Sequence, residues 1–386
     1  MALARATSTT EGTGPRVLVV GLGGIGGTIA AHLLARGLDV YPVTSNAQIR
    51  DVILRDGYRL EGVDASGRPA AARVVRGPIY DDIAEAHGPF EYVFLAVQPP
   101  QVEEAARRYA SLLAPGGAMV CLQNGLCEWR IASIVGRTRV LGAVVSWGAS
   151  MDSPGIYQRT SGGGFTIGGL DAHPDARCVV LADMLACIGP TAVTDNLVGV
   201  RWTKLAMNCA VSSLGTIGGD RLGRLMRHRF VRRLALEVMT EAVAVAAADG
   251  IRLEKIAGTI DLQALALTEV ERTARGRFSL LRKHLLLMAV GLRYRRLRSS
   301  MLRALERGRP PAVDFLNGEV VARARAIGRS CPVNEEICSI VHVLAAGRAH
   351  QVRPGLHQLR TLYARSRAAD RSGRGGEVPA LSARDA

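Results

Sequence analysis

Val17-Leu18-Val19-Val20-Gly21-Leu22-Gly23-Gly24-Ile25-Gly26-Gly27-Thr28-Ile29-Ala30-Ala31 joins an apolar run to a glycine-rich turn and then to a helical pattern that ends near Gly37. Glycines at this spacing allow a tight bend and let the backbone approach a pyrophosphate, while the amides and dipole at the helix start favour its negative charge. Pro15 and Arg16 open the strand and Leu38 to Val43 supplies a second one, which completes a β-α-β unit. The reading is therefore a dinucleotide-binding turn formed by Gly21, Leu22, Gly23, Gly24, Ile25 and Gly26; a glycine turn with no ligand is the plainer alternative.

Working outward, strand and helix patterns alternate from Arg16 to about Thr194. Strands are expected at Val17 to Val20, Val40 to Val43, Tyr92 to Val97, Ala118 to Leu122, Val140 to Val145 and Gly164 to Gly168, with a helix at Val102 to Leu113. Pro42 weakens the second of these. Such alternation argues an α/β fold with a Rossmann-type, doubly wound, mostly parallel sheet. After Asn196 the texture becomes helical, at Val200 to Leu214, Phe230 to Asp249, Phe278 to Leu305 and Asp314 to Ile327. The expected organisation is a disordered leader over 1–14, a dinucleotide-binding domain over 15–196, an all-helical domain over 197–366 and a disordered tail over 367–386. The leader lacks a continuous apolar segment and does not read as a signal peptide.

The chain has 386 residues, enough for two cores, and a formal charge of +15 carried almost entirely by arginine. No nucleic-acid motif accompanies that charge and aromatics are few, so nucleic acid is not an expected partner; no apolar run reaches the ~18 residues of a membrane span. Basic clefts would still attract anionic substrates. Seven cysteines without a CxxC pair read as small core residues in a reducing cytoplasm, with no metal site.

A nicotinamide-binding unit selective for a bare ribose ends its second strand in Asp or Glu. Here the place is Thr44-Ser45-Asn46, with Arg50 close behind and Asp39 at the wrong end of the strand. Ser45 and Arg50 suit a 2′-phosphate, so the expected cofactor is NADPH/NADP.

Only Lys204, Lys255 and Lys283 are lysines. Guanidinium is effectively never deprotonated, so a retained lysine suggests proton transfer. Lys204, Asn208 and Ser212 fall on one helical stripe, with Trp202, Leu205, Ala206 and Cys209 on other faces. Hydride delivery to a ketone leaves charge on oxygen that an ammonium can stabilise and protonate. A surface lysine near a helix start would look the same. Lys255 and Lys283 read as solvated charges among Arg and Glu.

From Val17 to about Gly347 the chain resembles the ketopantoate reductase (2-dehydropantoate 2-reductase) family. The resemblance lies in GLGGIGG, Leu122-Gln123-Asn124-Gly125, Trp202 to Asn208, Ser299-Ser300-Met301-Leu302, Asp314-Phe315-Leu316-Asn317-Gly318 and Pro332-Val333-Asn334. It implies NADPH-dependent reduction of ketopantoate, a step of pantothenate biosynthesis, in a cleft between the two domains. Lys204 then resembles the catalytic lysine, Asn208, Ser212 and Ser300 substrate-contacting positions, and Asn124 an asparagine near the nicotinamide, although a plain Asn-Gly turn reads equally. A small-molecule 2-keto acid is the implied partner, with a homodimer left open and neither nucleic acid nor membrane expected.

Four departures bear on substrate choice. Ala312 stands where the family commonly has glutamate, Gln98 replaces a lysine, Ser212 an asparagine and Ala304 an acid. A diverged reductase of another keto acid or ketone, or a catalytically silent NADP(H)-binding sensor, therefore remains as an alternative. The 260–298 segment is long and gathers Arg293, Arg295, Arg296 and Arg298 just before Ser300; it could shape the cleft or an oligomer contact, or be an exposed basic helix.

Overall fold

The computed structural model describes residues 14–83, 87–171, 175–254, 261–273, 278–347 and 353–372. The expected leader up to residue 13, Lys255 and the last fourteen residues lie outside them. The chain divides into two compact units between Val200 and Arg201.

In the first unit, β1 (Val17–Val20), α1 (Gly24–Ala35), β2 (Val40–Val43) and α2 (Ala47–Asp56) lead into β3 (Tyr58–Gly62) and β4 (Arg73–Val75). Next come β5 (Phe90–Leu95), α3 (Val102–Tyr109), β6 (Leu113–Cys121), α4 (Glu128–Val135) and β7 (Val140–Val145). The unit is completed by β8 (Ala149–Ser153), β9 (Ile156–Arg159), β10 (Phe165–Gly169), α5 (Ala176–Ala186) and β11 (Thr191–Val193).

The main sheet runs β11-β10-β7-β6-β5-β1-β2. Its β2-β1-β5-β6-β7 portion is parallel, and β10 joins β7 antiparallel. The chain leaves β1 toward β2 on one side and later fills β5 on the other, so the order reverses between β1 and β5, the place where doubly wound sheets bind ligands. Val17, Val19, Tyr92, Phe94, Val120 and Leu141 share one core with Ile29 and Leu33 of α1 and Leu181 and Leu185 of α5. Being covered on both faces is why these strands read as apolar runs without alternation. Each fully buried Ile or Leu contributes about 1.5–3 kcal/mol. Pro42 is accommodated because β2 is an edge strand, where a missing amide breaks no central ladder.

A second sheet, β4-β3-β9-β8, lies against α1 and was not foreseen. Its strands are short and mix apolar with charged residues, as in Tyr58-Arg59-Leu60-Glu61-Gly62. Packing it on α1 requires glycine at two places, since a Cβ on Gly24 would sit 2.7 Å from the Ala149 carbonyl oxygen and one on Gly27 1.9 Å from the Tyr157 ring.

The division between the units falls within α6 (Leu197–Gly218). After it come α7 (Leu222–Leu225), α8 (Arg229–Ala248), α9 (Leu262–Leu265), α10 (Glu269–Thr273), α11 (Phe278–Arg293), α12 (Ser300–Glu306), α13 (Asn317–Ala326), α14 (Pro332–Ala346) and α15 (Leu356–Ser372). The second unit contains no strand among the described residues. Its centre is α8, buried over most of its length and touching α9, α11, α13, α14 and α15.

Three expectations are corrected here. The Phe278 to Leu305 helix is two helices, separated by Tyr294 to Ser299. Residues 367–372, expected to be disordered, lie in α15, which continues to Ser372, and Arg367 Nη1 donates to the Arg272 carbonyl at 3.1 Å. Lys283 is no solvated charge: its side chain is 12% exposed and its ammonium meets Glu271 Oε2 and the Ala266 carbonyl, each at 2.6 Å. Arg233 extends this cluster, donating to Glu237 at 2.7 Å and to the Glu271 carbonyl at 2.8 Å.

A second polar cluster ties α6, α8, α13 and α14 together. Glu241 accepts the backbone amides of Val333 and Asn334, both at 2.9 Å, and the Asn334 side-chain amide at 2.7 Å. It thereby caps the start of α14 from another helix, placing a carboxylate where the helix dipole favours one. Asn317 Nδ2 donates to Asn334 Oδ1 at 2.9 Å, and Ser213 donates to Asn317 Oδ1. All four are buried. The asparagines of the two late sequence motifs thus hold the helical core together.

Candidate active site

In the turn after β1 the glycines have separable causes. Gly21 has φ +94°, and a Cβ there would lie 3.0 Å from the Ala96 carbonyl carbon at the end of β5. A Cβ on Gly26 would lie 1.9 Å from the Gly21 carbonyl oxygen, so only glycine lets α1 start this close to β1. Gly23 has no described atom within 4 Å of a Cβ position and is exposed. Two glycines therefore build the turn, and the third leaves open space beside the start of α1. No side-chain oxygen caps α1, and its first turn carries no acid. The backbone amides there are arranged for an anion. Leu22 is buried, so its contribution is through the backbone, and Ile25 is half-buried.

At the end of β2, Ser45 is exposed and Arg50 is half-buried, its Nη1 donating to the Thr44 carbonyl at 3.0 Å. Asn46 caps α2 by accepting the Ile49 amide at 3.1 Å. Asp39 is engaged at the opposite end of the strand, 3.1 Å from Arg16. The Thr44–Arg50 stretch thus offers hydroxyl, amide and guanidinium groups and no carboxylate.

After β6, Asn124 is exposed and Gly125 has φ +96°. Gln123, to which sequence reasoning gave no role, is buried and donates to the Leu95 and Val97 carbonyls at 2.8 and 2.9 Å. It fastens the loop carrying Asn124 to the one that follows β5, where Gln98 is exposed. A polar side chain at the end of an apolar strand was its only signal. Gly21 to Gly26, Ser45, Arg50 and Asn124 all sit at the carboxyl ends of neighbouring parallel strands.

In the second unit, α6 buries Trp202, Leu205, Ala206 and Cys209 and leaves Lys204, Asn208 and Ser212 half-buried along one stripe. The Ser212 carbonyl accepts Ser299 Oγ at 2.9 Å, and Ser299 Oγ also lies 2.8 Å from Thr216 Oγ1. Ser299 caps α12 as well, accepting the Leu302 amide at 3.3 Å. The two adjacent serines divide the work: Ser299 is a buried clasp, and Ser300, the next residue, is exposed beside it. Ser300 therefore follows directly on a residue that is clasped to α6 at the Ser212 carbonyl and Thr216. Ala312 is half-buried in a short turn before α13 and brings no carboxylate.

Residues 17–172 match the family described as ketopantoate reductase PanE/ApbA, and residues 196–345 match its C-terminal part. The chain belongs to the ketopantoate reductase family. It is an oxidoreductase acting on CH–OH groups. A 2-dehydropantoate 2-reductase of Mesorhizobium japonicum is 25% identical over 356 residues, covering 86% of this chain and 98% of that one. The PanE/ApbA family ketopantoate reductase of Ralstonia eutropha JMP134 superposes with a TM-score of 0.70 at 25% identity, over 86% of this chain and 99% of the other. A D-mandelate dehydrogenase solved with NADH and anilino(oxo)acetate shares the fold at a TM-score of 0.69 and 18% identity, over 86% and 98%. Among the described residues of this ketopantoate reductase family member, no cluster of His, Cys, Asp and Glu could hold a metal ion, and no helix is long and apolar enough to cross a membrane.

Proposed function

We propose that this chain reduces a branched 2-keto acid with NADPH, ketopantoate being the first substrate to test. The stripe of Lys204, Asn208 and Ser212 carries the reading, because three half-buried polar groups aligned on one face of a mostly buried helix serve a substrate better than a core. The dinucleotide fits the turn at Gly21 to Gly26, whose space at Gly23 a side chain would fill, and Ser45 and Arg50 would hold the 2′-phosphate. The bound nicotinamide supplies the hydride. Lys204 stabilises the charge developing on the carbonyl oxygen and delivers its proton there, which a guanidinium could not do. Asn208 orients the keto group by hydrogen bonding, and Ser212 and Ser300 contact the rest of the substrate. The chain's positive charge favours capture of a carboxylate anion. Its cysteines, none disulfide-bonded, support a cytoplasmic setting.

A second reading, reduction of a different keto acid, is favoured by Ala312. A site lacking a hydrogen-bonding carboxylate no longer selects strongly for a substrate hydroxyl. NADPH oxidation should be followed with ketopantoate and with a panel of aliphatic and aryl 2-keto acids. The highest kcat/KM on ketopantoate supports the first reading, and the highest on an analogue lacking the hydroxyl supports the second. Tight NADPH binding without turnover of any substrate would overturn both in favour of a sensor.

A further inference from the structure

α8, α10, α14 and α15, with the turn at Arg329 and Ser330, line a cavity of about 450 Å³ in the second unit. That is room for a small molecule, and none of the lining residues belongs to the Lys204, Asn208 and Ser212 stripe. Most of the charges around it cancel in pairs. Glu237 is held by Arg233 at 2.7 Å and by Arg272 at 3.6 Å, Glu269 by Arg272 at 3.8 Å, and Glu336 by Arg365. Two charges of opposite sign are left over. Glu241 accepts three hydrogen bonds, all from neutral N–H groups, where a carboxylate has room for roughly four. Burial pushes it up to about 6; the amides and Arg272 draw it down, but Arg272 is committed to Glu237 and Glu269. A buried carboxylate without a bonded cation is costly, so a cation placed beside it is held strongly. Arg329 is exposed and meets no carboxylate among the described residues. Ala244, Val245 and Leu362 give the cavity an apolar wall. An ammonium for Glu241 and a carboxylate for Arg329, joined by a short hydrocarbon, are the parts of an amino acid.

Glu241 is also one end of a buried chain of hydrogen bonds that reaches α6. Asn334 Nδ2 donates to Glu241 Oε2 at 2.7 Å, Asn317 Nδ2 donates to Asn334 Oδ1 at 2.9 Å, and Ser213 Oγ donates to Asn317 Oδ1. Asn317 Nδ2 also donates to the Cys209 carbonyl of α6 at 3.4 Å. The first acceptor sets the direction of every bond in the chain. An ionised Glu241 can only accept, so Asn334 turns its amide nitrogen to it and its oxygen to Asn317, and Asn317 turns its own oxygen to Ser213. A protonated Glu241 would release that constraint. An ammonium that keeps Glu241 ionised therefore fixes the polar lock on α6, one residue from Ser212. We propose that the cavity is a regulatory site for a small zwitterionic amino acid, its ammonium on Glu241 and its carboxylate on Arg329, and that occupancy is felt at α6 through Asn334, Asn317 and Ser213. The site is independent of the substrate assignment.

Isothermal titration calorimetry of the full chain against the common α-amino acids and straight-chain ω-amino acids should find a ligand with a Kd below about 1 mM that also raises Tm. The amine lacking its carboxylate and the acid lacking its ammonium should each bind at least about tenfold more weakly. So should the amino acid to Arg329→Ala, whose Tm without ligand should match wild type because the side chain is exposed. Glu241→Gln should lose binding, and Ala244→Phe, at an exposed position on the cavity wall, should block it without touching either charge. The bound amino acid should slow hydrogen exchange of the α6 amides in wild type, and in Ser213→Ala it should bind with little change in Kd but leave α6 exchange as it is without ligand. No binding at about 10 mM, or binding indifferent to both Arg329→Ala and Ala244→Phe, overturns the site. Equal affinity for the bare amine overturns the zwitterion, and α6 exchange unmoved by a bound amino acid overturns the coupling. None of these readouts requires turnover, so a failure of the reductase reading would leave them untouched.

Discussion

The Arg50 guanidinium donates to the Thr44 carbonyl at 3.0 Å, which holds a fixed positive charge beside the exposed Ser45 hydroxyl at the end of β2. On the proposed use of NADPH, these two groups hold the 2′-phosphate. Arg50→Ala should raise KM for NADPH by about ten- to a hundredfold, the range for a lost charged contact, and leave KM for NADH nearly unchanged. Ser45→Asp should move the preference toward NADH by repelling the phosphate. Steady-state kinetics with both nucleotides checks this, and an unaltered NADPH/NADH ratio in both variants would show that another segment reads the phosphate.

Gly23 and Gly26 should respond oppositely to the same methyl group. Gly26→Ala drives a Cβ into the Gly21 carbonyl and is expected to lower stability by about 3 kcal/mol or more, as severe overpacking does. Gly23→Ala meets no described atom and has ordinary φ of −72°, so its Tm should stay within a degree or two of wild type while NADPH binding weakens at least about tenfold. Thermal melts and fluorescence titration of NADPH separate the two effects. Equal loss of Tm in both would mean that Gly23 is also structural.

The Lys283 ammonium, with the Thr268 amide at 3.0 Å, holds Glu271 down at about 2 against the upward push of burial. A carboxylate whose folded-state value lies below its unfolded value of about 4.5 adds stability above that unfolded value and loses it as the pH falls toward 2. Lys283→Met should therefore flatten part of the decline in unfolding free energy between about pH 4.5 and 2. It should also cost roughly 3 kcal/mol at neutral pH, since it leaves a buried carboxylate without its cation. Urea unfolding at several pH values measures both, and parallel wild-type and variant profiles would contradict the pairing.

Asn334→Ala removes three side-chain hydrogen bonds at once, to Glu241 and the Val238 carbonyl and from Asn317, and leaves the buried Glu241 with only the two backbone amides at the start of α14. A loss of about 3–5 kcal/mol is expected, with Asn334→Asp no better because it sets a second carboxylate against Glu241. Burial already pushes Glu241 up to about 6. Calorimetry would check the loss; a variant within 1 kcal/mol of wild type would show that the cluster relaxes.

The physical reach of the sequence is visible in these residues. The β1 turn was legible because sterics alone demand glycine at Gly21 and Gly26, and the main sheet because strands covered on both faces must be continuously apolar. The β4-β3-β9-β8 sheet was illegible because its strands are three to five residues long, mix apolar with charged residues, and pack against α1. Lys283 misled because its true neighbours, Glu271 and Ala266, come from another helix and a loop, beyond local composition. Ser299 and Ser300 are chemically identical in the sequence; only tertiary packing decides which becomes the clasp and which stays exposed. Gln123 acts on carbonyls nearly thirty residues earlier in the chain, a distance no local pattern reports.

Lys204 bears the central claim, and single-turnover reduction of the best 2-keto acid by saturating NADPH tests it most directly. Lys204→Ala should slow the hydride-transfer step by about 10²- to 10⁴-fold with the NADPH Kd unchanged, and Lys204→Arg should not restore it. A Lys204→Ala enzyme that reduces the substrate at the wild-type rate would remove Lys204 from the chemistry.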